Sequence, residues 1–202
     1  MRSLTLVPAL LALTTSLAAG QQGPRSAGFI DFRYASHTSL TLYGGYDIGG
    51  TMVVIGMVQN PRTEYRETVA GAAWPVHVGH ASATVALAGA YASDGWYGQV
   101  YLLPAYTLGP IALSGLLEAY APLEDEGARQ FYLNPIKALV PVAHRLHVGA
   151  SYTLATQAGS PTRQSVGPTL QIGMPGWTAT LTALAGVGET TSEVRVGIRA
   201  AL

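Results

Sequence analysis

Histidines, serines and carboxylates are the side chains whose spacing invites chemistry here. Two His-x-x-His pairs occur, His77/His80 and His144/His147. Imidazole is a common metal ligand, but residues three apart on a strand point to opposite faces. Either pair therefore chelates only if it lies in a turn. Both fall at turns expected at one end of the molecule, where water-facing histidines are the simpler reading. A Ser–His hydrolase fares no better. His147 and Ser151 share a strand face but lie about 13 Å apart, beyond hydrogen-bond reach. Ser114 and Glu118 have the same problem, and no Gly-x-Ser-x-Gly elbow occurs. Gly44-Gly45 and Gly49-Gly50 lack the Lys-Ser/Thr of a phosphate loop. The run Glu124-Asp125-Glu126 suits a divalent ion, yet reads first as a solvated loop tip. No catalytic, metal or cofactor site is expected on these grounds. An enzyme assembled from cross-strand neighbours stays open as an alternative.

Composition narrows the classes further. The 202-residue chain carries 11 Lys/Arg and 11 Asp/Glu, so its formal net charge is zero. No basic patch is available to neutralise phosphates, which argues against a nucleic-acid partner. Charged residues make up 11% of the chain, against roughly 25% in ordinary soluble domains. There is no cysteine, so neither disulfides nor a cysteine-linked lipid can stabilise or anchor the chain. The first residues run Met-Arg-Ser, then mostly apolar from Leu4 to Leu13, then Ala18-Ala19-Gly20 before Gln21-Gln22. That is the layout of a secretory signal peptide. Residues 1–20 are expected to be removed, and 21–202 to form one domain. Beyond the leader no run of 18 apolar residues appears, which excludes helical membrane spans.

The remaining apolar residues are dispersed by alternation. Val194, Val196, Ile198, Ala200 and Leu202 alternate with Glu193, Arg195, Gly197 and Arg199. Thr178, Thr180 and Thr182 alternate with Ala179, Leu181 and Ala183, and Ser165, Gly167, Thr169 and Gln171 with Val166, Leu170 and Ile172. This is the period of a strand with two different environments on its faces. Facing is ambiguous in 51–58, 63–74 and 129–140. Twelve strands are expected, near 28–34, 39–47, 51–58, 64–74, 80–91, 96–107, 111–120, 129–140, 145–155, 164–173, 177–186 and 193–202. Ten remain if the first two stand apart. The connections near Gly49-Gly50, Pro75–Gly79, Gly109-Pro110, Pro141–His144 and Pro175-Gly176 fall at one end and are mostly tight. Those at Asn60–Arg62, Ser93–Gly95, Pro122–Ala128, Gln157–Thr162 and Gly188–Ser192 fall at the other and are longer.

This pattern resembles the bacterial outer-membrane β-barrel class over the whole chain from residue 21. Such barrels have an even strand number, short turns on one side and aromatic girdles. Trp74, Trp177 and Trp96, with Tyr34, Tyr65, Tyr97 and Tyr120, lie near expected strand ends, as girdle residues would. The chain departs from the class in ending on Leu202 rather than an aromatic residue. The resemblance implies an all-β, antiparallel up-and-down transmembrane barrel in the cell outer membrane. Its partners would be outer-membrane lipid and the barrel assembly machinery. The competing architecture is a soluble periplasmic β-sandwich with the faces exchanged. Against it stands a polar face of Thr, Ser, Gly and Ala with one lysine in the chain, Lys137.

On the barrel reading, the polar lumen candidates are Asp31, Arg33, Asp47, Gln99, Glu118, Gln130, Asn134, Gln171, Glu193, Arg195 and Arg199. Arg195 and Arg199 are expected to pair with Glu118, Asp47 or Asp31, because a buried charge needs a partner. Small inward residues such as Ala86, Gly149, Ser151, Gly167 and Thr180 leave room. The expected function is a narrow pore for small solutes. A structural or adhesive barrel and a lipid-modifying enzyme are the alternatives. Pro104, Pro135 and Pro168 fall inside strands and should each mark a bulge or a misplaced boundary.

Overall fold

The computed structural model describes residues 27–37, 39–78, 81–124 and 127–202. The expected leader, His80, Asp125 and Glu126 lie outside them. The strands are β1 (Gly28–Ala35), β2 (Ser39–Ile48), β3 (Thr51–Asn60), β4 (Tyr65–Val78), β5 (Ala81–Ala92), β6 (Gly95–Leu108) and β7 (Ile111–Ser114). They continue with β8 (Leu117–Pro122), β9 (Gln130–Ala143), β10 (Leu146–Gln157), β11 (Arg163–Met174), β12 (Trp177–Val187) and β13 (Glu193–Ala201). Apart from β7 and β8, sequence neighbours pair antiparallel, and β1 pairs with both β2 and β13, so the sheet closes on itself. β7 and β8 both pair with β6 and β9 and are two halves of one stave. The barrel therefore has twelve staves, with the first two strands inside the ring.

The alternation decides the facing as expected. Ile30, Phe32, Leu40, Leu42, Leu181, Val194, Val196 and Ile198 are exposed on the outer wall. Asp31, Thr41, Ser151, Ser165, Thr169 and Thr182 are buried within. An apolar exterior around a polar interior is the reverse of a soluble sandwich. In β3, Val53, Ile55 and Met57 are outward, whereas Val54 and Val58 are buried inside. Both faces there are apolar, which is why no alternation shows.

The short-turn end is tighter than the residue pattern suggests. Its connections are residues 49–50, 79–80, 109–110, 144–145 and 175–176, two residues each. Pro75 and Pro141 lie inside β4 and β9, which run past the expected ends. Gly49 and Gly50 have φ of 64° and 88°, the left-handed pair that a two-residue hairpin turn needs. The other end carries connections of up to seven residues, the longest being 123–129.

Of the three prolines expected inside strands, Pro104, Pro135 and Pro168, only Pro135 marks a bulge; a further register shift in β9 falls beside Pro141, where Leu146 pairs with Ala143 but His147 with Pro141. Lys137 pairs with Ser114 and Ser151, but Leu133 pairs with Leu117 and Leu154. Four steps along β9 therefore match three on both neighbours. Pro104 lies opposite Gly115, whose N–H reaches the Pro104 carbonyl at 3.0 Å. Proline has no N–H to return, so the ladder breaks and β7 separates from β8 with the register unchanged. At Pro168 the β11–β12 ladder skips two pairs, again without a shift.

The aromatic residues divide by parity. Trp74, Trp96, Trp177 and Tyr34 are outward; Trp96 stacks on Tyr91 at 4.9 Å. Tyr97 and Tyr120 are buried in the interior, and Tyr65 points inward beside Glu67. Nearness to a strand end sets a residue's height, but parity sets its side of the wall.

The outer wall supplies a first prediction. Leu42 is outward between Phe32 and Met57. Leu42→Arg should cost about 2–4 kcal/mol if it meets the bilayer midplane. Thr41→Val, one residue away and inward, should be close to neutral, because the Thr41 hydroxyl is buried without a hydrogen-bond partner among the described residues. Urea unfolding of each variant in liposomes measures the contrast. Equal costs would contradict the facing.

Candidate functional site

Inside the ring the residues sort into two walls. One wall, from β2 through β9, is filled. Tyr101, Tyr120 and Tyr132 meet edge to face, with ring centroids 6.1 and 5.4 Å apart. Leu103, Leu116, Val58 and Val69 pack among them. Two buried carboxylates sit in this wall. Glu67 accepts hydrogen bonds from Tyr65 Oη at 2.5 Å and Gln99 Nε2 at 2.7 Å. Glu118, fully buried, accepts one from Tyr120 Oη at 3.1 Å. Tyr101 donates to Gln99 Oε1, and Tyr132 to Gln130 Oε1.

Small residues on one stave make room for rings from the next. A Cβ at Gly56 would fall 1.9 Å from the Tyr43 ring, its cross-strand partner. Glycine beside an aromatic residue lets the ring cover the bare backbone. Gly56→Ala should therefore displace a buried ring and cost about 1–3 kcal/mol, the usual range for overpacking. The same change at Gly89, where a Cβ meets nothing within 4 Å, should cost less than half as much. Comparing the two unfolding midpoints tests it.

The opposite wall, built by β1, the start of β2, β9 and β11–β13, lines an open recess of about 770 Å³, counting the space that joins solvent. Its charged residues are Asp31, Arg33, Lys137, Arg195 and Arg199, with Gln171, Thr178, Thr180 and Thr182 between them. Two ion pairs among the described residues run along strands. Arg33 grips Asp31 in a fork, Nε to Oδ1 at 2.9 Å and Nη2 to Oδ2 at 2.5 Å. Arg195 pairs with Glu193 two residues away, its Nε and Nη2 both meeting Oε1. This corrects the expected pairing of Arg195 with Glu118, Asp47 or Asp31. Residues i and i+2 share a face about 7 Å apart, well within reach of an arginine. One link does cross the interior: Arg195 Nη1 donates to Asn134 Oδ1 on β9 at 2.5 Å. Arg199 lies over the Phe29 ring, 4.2 Å from its centroid, and opposite Asp31 in the ladder. A hydroxyl relay, Ser151 to Thr169 to Thr182 at 2.5 and 3.1 Å, covers the neighbouring staves.

The lumen candidates thus divide. Asp31, Arg33, Gln171, Arg195 and Arg199 meet at the recess. Glu193 and Asn134 hold Arg195. Gln99, Glu118 and Gln130 belong to the tyrosine wall. Asp47 belongs to neither: it is exposed at the short-turn end, where its Oδ1 accepts the Gly50 N–H at 2.9 Å. Among the described residues the histidines do not converge on a site, with His77 exposed on β4, His144 in a turn and His147 half-buried on β10.

Three features escape the period-2 reading. Lys137 is inward although Asn134 and Tyr132 are inward at the opposite parity, because the extra residue at Pro135 turns the strand over. Glu67 lies in a segment with no clear alternation. The tyrosines betray only their height. A proline inside β9 was the available signal for the first.

The closed ring, its paired short turns and its apolar exterior decide the architecture. The fold is that of a small outer-membrane porin. A structure of the KdgM porin in complex with oligogalacturonate aligns with a TM-score of 0.64 at 11% identity, covering 86% of this chain and 99% of that one. The NanC porin aligns at 0.59 and 9% identity, with 87% and 99% covered. The Acinetobacter baumannii outer membrane protein Omp33 aligns at 0.55 and 11%, with 90% and 100% covered. Neither a scan against protein-family models nor a search of curated proteins finds a match.

Proposed function

We propose that the protein is a narrow pore for small solutes, inserted in the outer membrane after removal of residues 1–20. The observation that carries this reading is the recess. A closed barrel with an apolar exterior holds a recess that opens to solvent, about 770 Å³ counting that open space, and charged and hydroxyl side chains are among its lining. Burying charge inside a membrane barrel is costly unless it meets water or a solute. The KdgM porin, alike in fold, has been seen holding an oligosaccharide, which supports solute passage through this scaffold. Lipid would contact the outward Leu, Val and Ile, and the assembly machinery would place the chain.

Single-channel recording in planar bilayers tests the pore. Discrete current steps are expected; their absence from well-folded protein would remove it. A second reading, a structural barrel without transport, is favoured by the filled tyrosine wall and would give that silent result. Heat-modifiable gel mobility of protein from outer membranes tests the location separately. A protein released by osmotic shock instead would contradict it.

A further inference from the structure

The recess is electrically unbalanced. Four cations line it, Arg33, Lys137, Arg195 and Arg199, against one carboxylate, Asp31. Glu193 and Asn134 already occupy Arg195. Asp31 occupies two nitrogens of Arg33, but the third, Nη1, is buried without a hydrogen-bond partner among the described residues. Lys137 is only 6% exposed, and its ammonium forms no hydrogen bond or ion pair among the described residues. Lys137 is among the residues that line the recess. A guanidinium nitrogen withdrawn from water without a partner, as Arg33 Nη1 is, is unfavourable. That nitrogen and the Lys137 ammonium on one hollow constitute half of a binding site.

We propose that this hollow is a standing site for a small oxyanion, a phosphate or a carboxylate, held by Lys137 and Arg33 Nη1. Charge-assisted hydrogen bonds from an ammonium and a guanidinium suit an acceptor with two or more oxygens. The hydroxyls of Thr178, Thr180 and Thr182 face the same space and can donate to further oxygens. The Arg195 link to Asn134 ties β13 to β9 beside the recess. The site deepens the pore reading by naming a solute class, but binding does not require conduction.

The test is calorimetric titration of the refolded, full-length barrel in detergent micelles with inorganic phosphate, acetate, and glucose as a neutral control. Saturable binding of phosphate or acetate is expected, with glucose silent, and the stronger of the two identifies the oxyanion type. Lys137→Met, checked for heat-modifiable mobility, should weaken binding at least tenfold, whereas Arg145→Met in an exposed turn should not. No saturable heat with either anion, or unchanged affinity in folded Lys137→Met, would overturn the site. If Lys137→Met does not fold, the wild-type protein decides. Phosphate or acetate should raise its melting temperature above that in sodium chloride of equal ionic strength, and melting temperatures unchanged by both would overturn the proposal. Binding without current steps would leave this site standing and remove the pore.

Discussion

Deletion of Pro135 should prevent the barrel from assembling, although it removes only one apolar residue. The extra residue at Asn134-Pro135 lets two halves of β9 present opposite parities to the lumen. Before it, Tyr132 and Asn134 are buried inside; after it, Lys137 and Leu139 are. A one-residue slip exchanges the faces of a strand, so without the bulge one half must turn over. If the first half keeps its register, Lys137 enters the acyl chains and the outward Ile136 enters the lumen. A lysine at mid-bilayer costs about 2–4 kcal/mol, and each displaced apolar neighbour adds to that. If the second half keeps its register, Tyr132 and Asn134 face lipid, and Arg195 loses its acceptor across the barrel. Neither outcome is mild. The deletion variant should lose heat-modifiable mobility after refolding, while Pro135→Ala, which keeps the residue count, should retain it. A deletion variant as stable as the parent would show that the bulge does not govern facing.

Removing one carboxylate from the recess should have the next largest effect. Asp31 is 2% exposed and holds two of the three guanidinium nitrogens of Arg33. It also lies directly opposite Arg199. Breaking a buried pair by deleting one partner costs about 3–5 kcal/mol, because the other charge is left uncompensated. Arg33 retains 15% side-chain exposure to the recess, so water keeps the loss at the low end of that range. Asp31→Ala should lower the free energy of unfolding by about 3 kcal/mol. Asp31→Ala with Arg33→Met should recover part of it, since the stranded charge is gone. Urea denaturation in liposomes gives both numbers. A single variant within about 0.5 kcal/mol of the parent, the range of an ordinary surface change, would mean that Asp31 is not what compensates these cations.

The period of two in β10–β13 was legible because the faces of those strands meet different media, acyl chains and an enclosed polar space. Every outward Val, Leu and Ile there repeats the same choice. Gly and Pro marked the short turns for a reason equally local, since left-handed φ and missing N–H groups end strands wherever they occur. Those two signals determined the strand number, the facing of most strands and the closed-barrel class. They also set most of the recess lining, because Asp31, Arg33, Gln171, Arg195 and Arg199 alternate cleanly with apolar neighbours. The rest depended on contacts between residues far apart in the chain. Val54 and Val58 are inward because the tyrosine wall makes that part of the lumen apolar, so β3 shows no contrast. Lys137 faces the recess because a bulge inverts parity in mid-strand. Arg195 takes Glu193 and Asn134 rather than Glu118 because only closure of the ring sets β9 across from β13. Local periodicity records which medium a face meets; which side chains fill the lumen, and which cations stay unpartnered, is decided by how twelve staves close around one axis.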